Sequence, residues 1–175
     1  MRIKDRAPVF LNNSGLLILL SALIVFLSSC DENGNGSNPS LEEGNSVRDS
    51  SNPRHQELAN EIIANTERIF ACVLPVNDAE SAGVAVVAIQ ESEKRLLKSY
   101  DDLRVLDVLP PEDCAGIKEK FESSFVKMGS LQNEVNVVIK SLDPESAGKL
   151  TKAILGTSNI YKDNANTLKR HGFVE

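Results

Sequence analysis

Apolar side chains recur every seventh residue at Cys114, Phe121, Met128, Val135 and Leu142, with Ile117, Leu131 and Val138 at the intermediate steps. In an α-helix, positions three and four apart share a face, so this pattern is one continuous stripe along a long helix. As a strand, the same residues would scatter over both faces. A stripe of that length needs an apolar cover. Aromatic content is 5% with no Trp, so the core must come from Leu, Ile, Val, Ala and a few Phe. Such cores favour helix-on-helix packing over sheets.

The neighbouring segments supply the cover. A first helix is expected over about 54 to 73, with Pro53 in its first turn, Leu58, Ile62, Ile69 and Val73 on one face, Thr66 between them and Phe70 alongside. Pro75 stops it. A second runs over about 79 to 106 from an Asp78 cap. Its stripe is Ala82, Val86, Ile89, Leu96, Tyr100 and Leu103, widened by Val84 and Val87 and interrupted at its edge by Glu93. The third, the helix of the sevenfold pattern, follows Pro110 and Pro111 and carries Glu112 and Asp113 at its positive end. For the fourth, Asp143 caps, Pro144 takes the first position, and Ala147, Leu150, Ile154, Tyr161, Ala165 and Leu168 face inward. Lys169, Arg170 and His171 lie at its negative end. Gly172 is the expected left-handed terminator, with Phe173 folding back on Leu168. Short connections make an antiparallel up-down-up-down four-helix bundle over residues 54–175, all-α, with sequential helices as neighbours. The alternative is a three-helix core with the first helix loosely packed.

Upstream of the bundle the chain changes character twice. Residues 31–53, DENGNGSNPSLEEGNSVRDSSNP, hold almost nothing apolar and are expected to stay disordered, because they cannot bury enough surface to offset their ordering entropy. With Cys30 they form a flexible acidic linker, 30–53, with an r.m.s. reach of ~25–30 Å. Before it, a basic head (MRIKDRA) leads into Leu16–Leu27, LLILLSALIVFL. Twelve helical residues span ~18 Å, short of a ~30 Å hydrocarbon core. Residues 1–29 therefore read as an export signal.

The residues closing that run, Leu27-Ser28-Ser29-Cys30, resemble the bacterial lipobox: a branched apolar residue, two small residues and a cysteine. The resemblance covers the signal only. It implies a lipoprotein precursor, cleaved between Ser29 and Cys30, with lipid attached to Cys30 and the mature protein held at the extracytoplasmic, periplasmic face of a membrane. Asp31 resembles the inner-membrane retention signal of enterobacteria-like sorting. Two or more acyl chains anchor stably where one does not.

Charge agrees with a lipid rather than an electrostatic anchor. The chain carries a formal −6. Arg2, Lys4 and Arg6 against Asp5 leave with the signal, so the remainder carries −8. An acidic chain without a basic stripe is a poor match for nucleic acid or anionic lipid.

Candidate chemistry is sparse. Cys72 and Cys114 are the two cysteines after Cys30, and an exported pair suggests a disulfide. Yet they end the first helix and begin the third, ~40 Å apart along the second, whereas a disulfide needs Cα atoms within ~7 Å. The bond requires a shorter second helix, say 84–103, and the pairing stays open. His55 and His171 fall at the same end of such a bundle and invite a haem or metal. Against this, no C-x-x-C-H motif occurs, neither His sits on its helix's apolar stripe, and His171 is explained as a cation near a helix C-terminus. No metal or cofactor is therefore expected. Glu91, Glu93, Asp101 and Asp102 read as solvated faces, since no Glu-x-x-His pair occurs. Gly83, Gly116, Gly129, Gly148 and Gly156 suit close helix packing. No Ser/His/Asp set, phosphate loop or zinc spacing is present, so no catalytic residue is assigned. Two functional classes fit. The first is a non-enzymatic envelope lipoprotein whose bundle binds a protein partner or serves a structural role. The second is a small-ligand-binding or sensing bundle, with Asn65, Ser92, Ser124 and Thr157 lining a pocket.

Overall fold

The computed structural model describes residues 53–174. The expected signal, the expected Ser29–Cys30 cleavage point, Cys30 as the expected lipid site and the expected linker to residue 52 lie outside the described residues. Four helices account for most of the rest: α1 Pro53–Val73, α2 Ala79–Arg104, α3 Pro111–Ser141 and α4 Pro144–Arg170. Among the described residues there is no strand, and no helix is long and apolar enough to cross a membrane.

The ends are set by local chemistry. At α2, the Asp78 carboxylate accepts from Ser81 N–H at 2.8 Å and Ser81 Oγ accepts from Asp78 N–H at 3.1 Å, a reciprocal capping box. α3 begins on Pro110 and Pro111, with Glu112 and Asp113 in its first turn. Asp143 caps α4 by accepting from Glu145 and Ser146 N–H, both at 3.0 Å. These bonds, led by those from Ser146, hold the Asp143 carboxyl below its ordinary 3.8. A lowered folded-state value means the cap's contribution is complete above about pH 3.8 and lost as pH falls through the folded value. Asp143→Ala is accordingly expected to lower the melting temperature by a few degrees at neutral pH. The gap to wild type should close in strong acid, as thermal scans at the two pH values would show.

α4 stops at a Schellman turn. Gly172 takes φ +68°, Gly172 N–H donates to Lys169 O at 3.0 Å, and Phe173 N–H donates to Leu168 O at 2.9 Å. Phe173 is fully buried in the core that includes Leu168.

Each helix contributes a seam whose positions alternate in steps of three and four. On α1 the seam is His55, Ala59, Ile62, Thr66, Ile69 and Val73; on α2 it is Ala82, Ala85, Ile89, Ser92, Leu96, Ser99 and Leu103. On α3, buried Cys114, Ile117, Phe121, Ser124, Met128 and Val135 keep the same step, with half-buried Leu131 between the last two. On α4 it is Leu150, Ile154, Thr157, Tyr161, Asn164 and Leu168. This alternation is the coiled-coil spacing. The seam of α2 corrects the sequence expectation at one point. Val84 and Val87 do not widen the stripe; they are 67% and 55% exposed, on the outer side of the helix. The inward positions beside the large ones are the small Ala85, Ser92 and Ser99, seven apart, which an apolar reading passes over.

Those small residues decide the packing. α2 makes the two closest helix pairs, with α1 and with α4, while α1–α3 is looser and α3–α4 looser still. α2 and α3, consecutive in sequence, are not among the closely packed pairs. Sequential neighbours therefore lie side by side at α1–α2 but not throughout. Nor is α1 loosely packed, as the three-helix alternative required: Leu58, Ala59 and Ile62 are completely buried. Between α3 and its neighbours the space is filled by rings. Phe121 packs on Phe125 and Phe173 at 6.0 and 5.5 Å, Phe125 on Tyr161 at 6.2 Å, and Tyr161 on Tyr100 at 6.1 Å. Of the glycines expected to serve close packing, Gly83, Gly116 and Gly148 face open space. At Gly156 a neighbour does crowd the backbone: an added Cβ would lie 2.7 Å from Glu93 Oε1.

Candidate functional site

His55 and His171 are brought together at one end of the bundle, and they are buried. Their exposures are 1% and 0%, and their ring centroids are 5.4 Å apart. The proximity matches the sequence expectation; the placement off the apolar stripes does not. His55 lies on the α1 seam. His171 extends the α4 seam by one step, three residues after Leu168. The signal was in the chain: carrying the three-four alternation one step past the last apolar residue reaches both. Nor is His171 a solvated cation at a helix terminus. Burial, then His55, then Arg170 push its pKa below the ordinary 6.5.

The surroundings are apolar on most sides. Phe173 lies against both rings, at 6.3 Å from His55 and 6.2 Å from His171. His55 Nε2 donates to Asp107 O at 3.0 Å, because a carbonyl can only accept. This leaves His55 Nδ1 as an unpartnered acceptor, and both ring nitrogens of His171 are buried without a hydrogen-bond partner. Cys114 Sγ–H reaches His171 O at 3.4 Å and Pro110 O at 3.3 Å. Arg54, one residue before His55, binds Glu57 and Asp102, each at 2.7 Å, and so ties the first turn of α1 to the last turn of α2.

Two imidazoles do not make a closed metal site, which takes four ligands for zinc. Among the described residues no group of three His, Cys, Asp or Glu side chains is placed to hold a metal. The described residues offer no nucleophile beside a base here either, since the Cys114 thiol is turned to backbone carbonyls and its pKa is raised by burial and by Asp113 and Glu112.

The remaining candidates fall elsewhere. Cys72 and Cys114 are free thiols. α2 keeps its full 26 residues, about 39 Å of helix, and the shortening that a bond required is not seen. Cys72 Sγ–H bonds Ile69 O at 3.2 Å near the start of α2, whereas Cys114 sits at the other end by His171. Ser92 is buried on the α2 seam, and Asn65, Ser124 and Thr157 bond to separate neighbours. Asn65 bonds Glu61 O on its own helix, Ser124 donates to Glu67 across α1–α3 at 3.2 Å, and Thr157 donates to Glu93 across α2–α4 at 3.1 Å. Glu93 is half-buried, with its pKa raised by burial. Glu91 is exposed, while Asp101 and Asp102 pair with Arg104 and Arg54.

Midway along the bundle, Thr66 Oγ1 and Tyr161 Oη are hydrogen-bonded, with Tyr100 Oη buried nearby and unpartnered. Burial pushes the Tyr161 hydroxyl up to about 12 and Tyr100 well above its ordinary value, so both stay neutral. Comparison of the chain with protein families, with curated proteins and with solved structures finds no match.

Proposed function

We propose that the chain is the precursor of a lipoprotein of the bacterial cell envelope, in which lipid on Cys30 holds a non-enzymatic helical bundle at the extracytoplasmic face of a membrane. The observation that carries this reading is Leu27-Ser28-Ser29-Cys30 at the end of a twelve-residue apolar run behind a basic head. On this reading the acidic linker keeps the bundle off the bilayer, and Asp31 favours the inner membrane.

The helices run up-down-up-down, in the cyclic order α1, α2, α4, α3. Support for the alternating directions comes from one end of the bundle. There the start of α1, the segment after α2, the start of α3 and the end of α4 meet through His55, Asp107, Cys114 and His171. The bundle itself serves as an interaction or structural domain for a protein partner. What favours this over a ligand carrier is that the polar side chains near the seams bond to separate neighbours instead of facing a common space.

Cys30→Ser tests the anchor. In bacteria fed a clickable fatty acid, wild type should be labelled and should run as the mature form in the membrane fraction. The variant should be unlabelled and accumulate as unprocessed precursor. Normal membrane-bound mature protein from the variant would overturn the assignment.

A further inference from the structure

A buried imidazole whose two nitrogens face no partner is a liability in a bundle core, and this bundle places one, His171, in contact with a second imidazole, His55. Three ring nitrogens, His55 Nδ1 and both of His171, face no hydrogen-bond partner, and the rings touch each other and Phe173. A proton added to the one His171 nitrogen that carries none creates a cation in apolar surroundings, beside an imidazole that disfavours it. Among the described residues, no ring nitrogen of His171 is bonded to a charged side chain. On α1, Arg54 is engaged with Glu57 and Asp102; on α2, Arg104 is engaged with Asp101 and with Asn164 Oδ1 at 2.5 Å. In the segment after α2, Asp107 offers only its main-chain carbonyl, already taken by His55, and its side chain belongs to an exposed residue. At the start of α3, Glu112 is exposed and Asp113 half-exposed. On α4, Arg170 opposes a further positive charge on His171.

What the pair holds in place is also specific. His55 is in the first turn of α1. His171 is the last residue before the Gly172–Phe173 Schellman turn that seats Phe173 in the core. We propose that His171, packed against His55, is a proton-operated latch: with its ring neutral it closes this end of the bundle, and on taking up a proton from solvent it releases the first turn of α1 and the Gly172–Phe173 tail. The proposal rests on the bundle geometry alone and does not require the lipid.

The sign follows from linkage. A histidine whose folded pKa is below 6.5 binds fewer protons in the closed state than in the open one. Closure is therefore complete well above 6.5, weakens as pH falls below it, and stops weakening once the folded value is passed. Each unit of difference in pKa is about a tenfold change in the closing equilibrium.

The test uses the full chain in detergent micelles, by NMR from about pH 7.5 to about pH 5.5. It reads the His171 ring titration and the hydrogen-exchange protection factors of the Gly172 and Phe173 amides, which carry the Schellman bonds. His171 should titrate below 6.5, and the two protection factors should fall about tenfold across the range while amides midway along α2 hold. In His171→Phe, which keeps a ring without the proton site, protection at 172 and 173 should become independent of pH. Unchanged wild-type protection, a His171 titration at or above the ordinary value, or an identical fall in a folded His171→Phe protein would each overturn the latch. If the variant does not fold, the wild-type titration and protection decide the question alone.

Discussion

Phe121→Ala is expected to destabilise the bundle by about 3–5 kcal/mol, a large part of the 5–15 kcal/mol that holds a domain together. Phe121 is almost fully buried, and its ring is in contact with Phe125 on its own helix and with Phe173 beyond α4. The cost should sit near the upper end of the range because the site cannot collapse. Rings fill the space on the side of α3 that faces α4, the loosest of the helix pairs in contact, so removal of the central ring leaves a cavity between elements that other contacts keep apart. Urea unfolding measures the loss directly. Val126→Ala on the same helix is the control: Val126 is 77% exposed, and its removal should change stability by less than about 0.5 kcal/mol. Similar losses at the two positions would contradict the aromatic packing of α3.

Gly172→Ala should be the next most damaging single change for its size. Two separate effects add. The residue sits at φ +68°, where a side chain costs about 1–2 kcal/mol. The new Cβ would also fall 2.6 Å from Cys114 Sγ and 3.0 Å from Cys114 Cβ, an overlap of the kind that costs about 1–3 kcal/mol. The chain cannot easily move aside, because Gly172 and Phe173 N–H groups are both committed to the end of α4 and Phe173 is seated in the core. The two effects are separable by a double-mutant cycle with Cys114→Ala, which removes the sulfur but leaves the backbone conformation. The loss caused by Gly172→Ala should shrink by at least about 0.5 kcal/mol in the Cys114→Ala background. Strict additivity would show that the sulfur is not what the glycine makes room for.

Both positions show how far sequence reasoning reached. Phe121 was legible because its stripe repeats every seven residues through large apolar side chains. Gly172 was legible as a helix terminator because glycine follows a basic last turn and precedes a ring that can fold back. The second reason that a side chain does not fit there, the Cys114 sulfur 2.6 Å from where a Cβ would lie, comes from a residue 58 positions earlier and has no local signal. The same divide runs through α2. Its large seam residues are legible from the stripe, but Val84 and Val87, which widen that stripe in the sequence, are exposed, and the small Ala85 and Ser99 are buried in their place. A valine advertises burial by composition; a serine is buried only because a neighbouring helix comes close enough to use its small size.

The histidine pair marks the divide most clearly. That His55 and His171 would fall at one end of the bundle followed from helix lengths and short connections. That they would be buried, touching and largely unpartnered did not. Imidazole is half polar, and its fate depends on what covers it: here Phe173, delivered by the Schellman turn, and Phe121 behind it.

By itself, then, the chain determined four helices, nearly all of their ends and most of their inward faces, because caps, prolines and the three-four alternation act through neighbours in sequence. It also carried the lipobox expectation, since signal processing is encoded linearly. The tertiary structure alone decided which helices come closest, through small residues on α2 and large rings around α3. It alone decided that Cys72 and Cys114 stand apart as free thiols and that two histidines are enclosed. Those outcomes depend on side chains distant in sequence competing for the same space, and no local pattern records who wins.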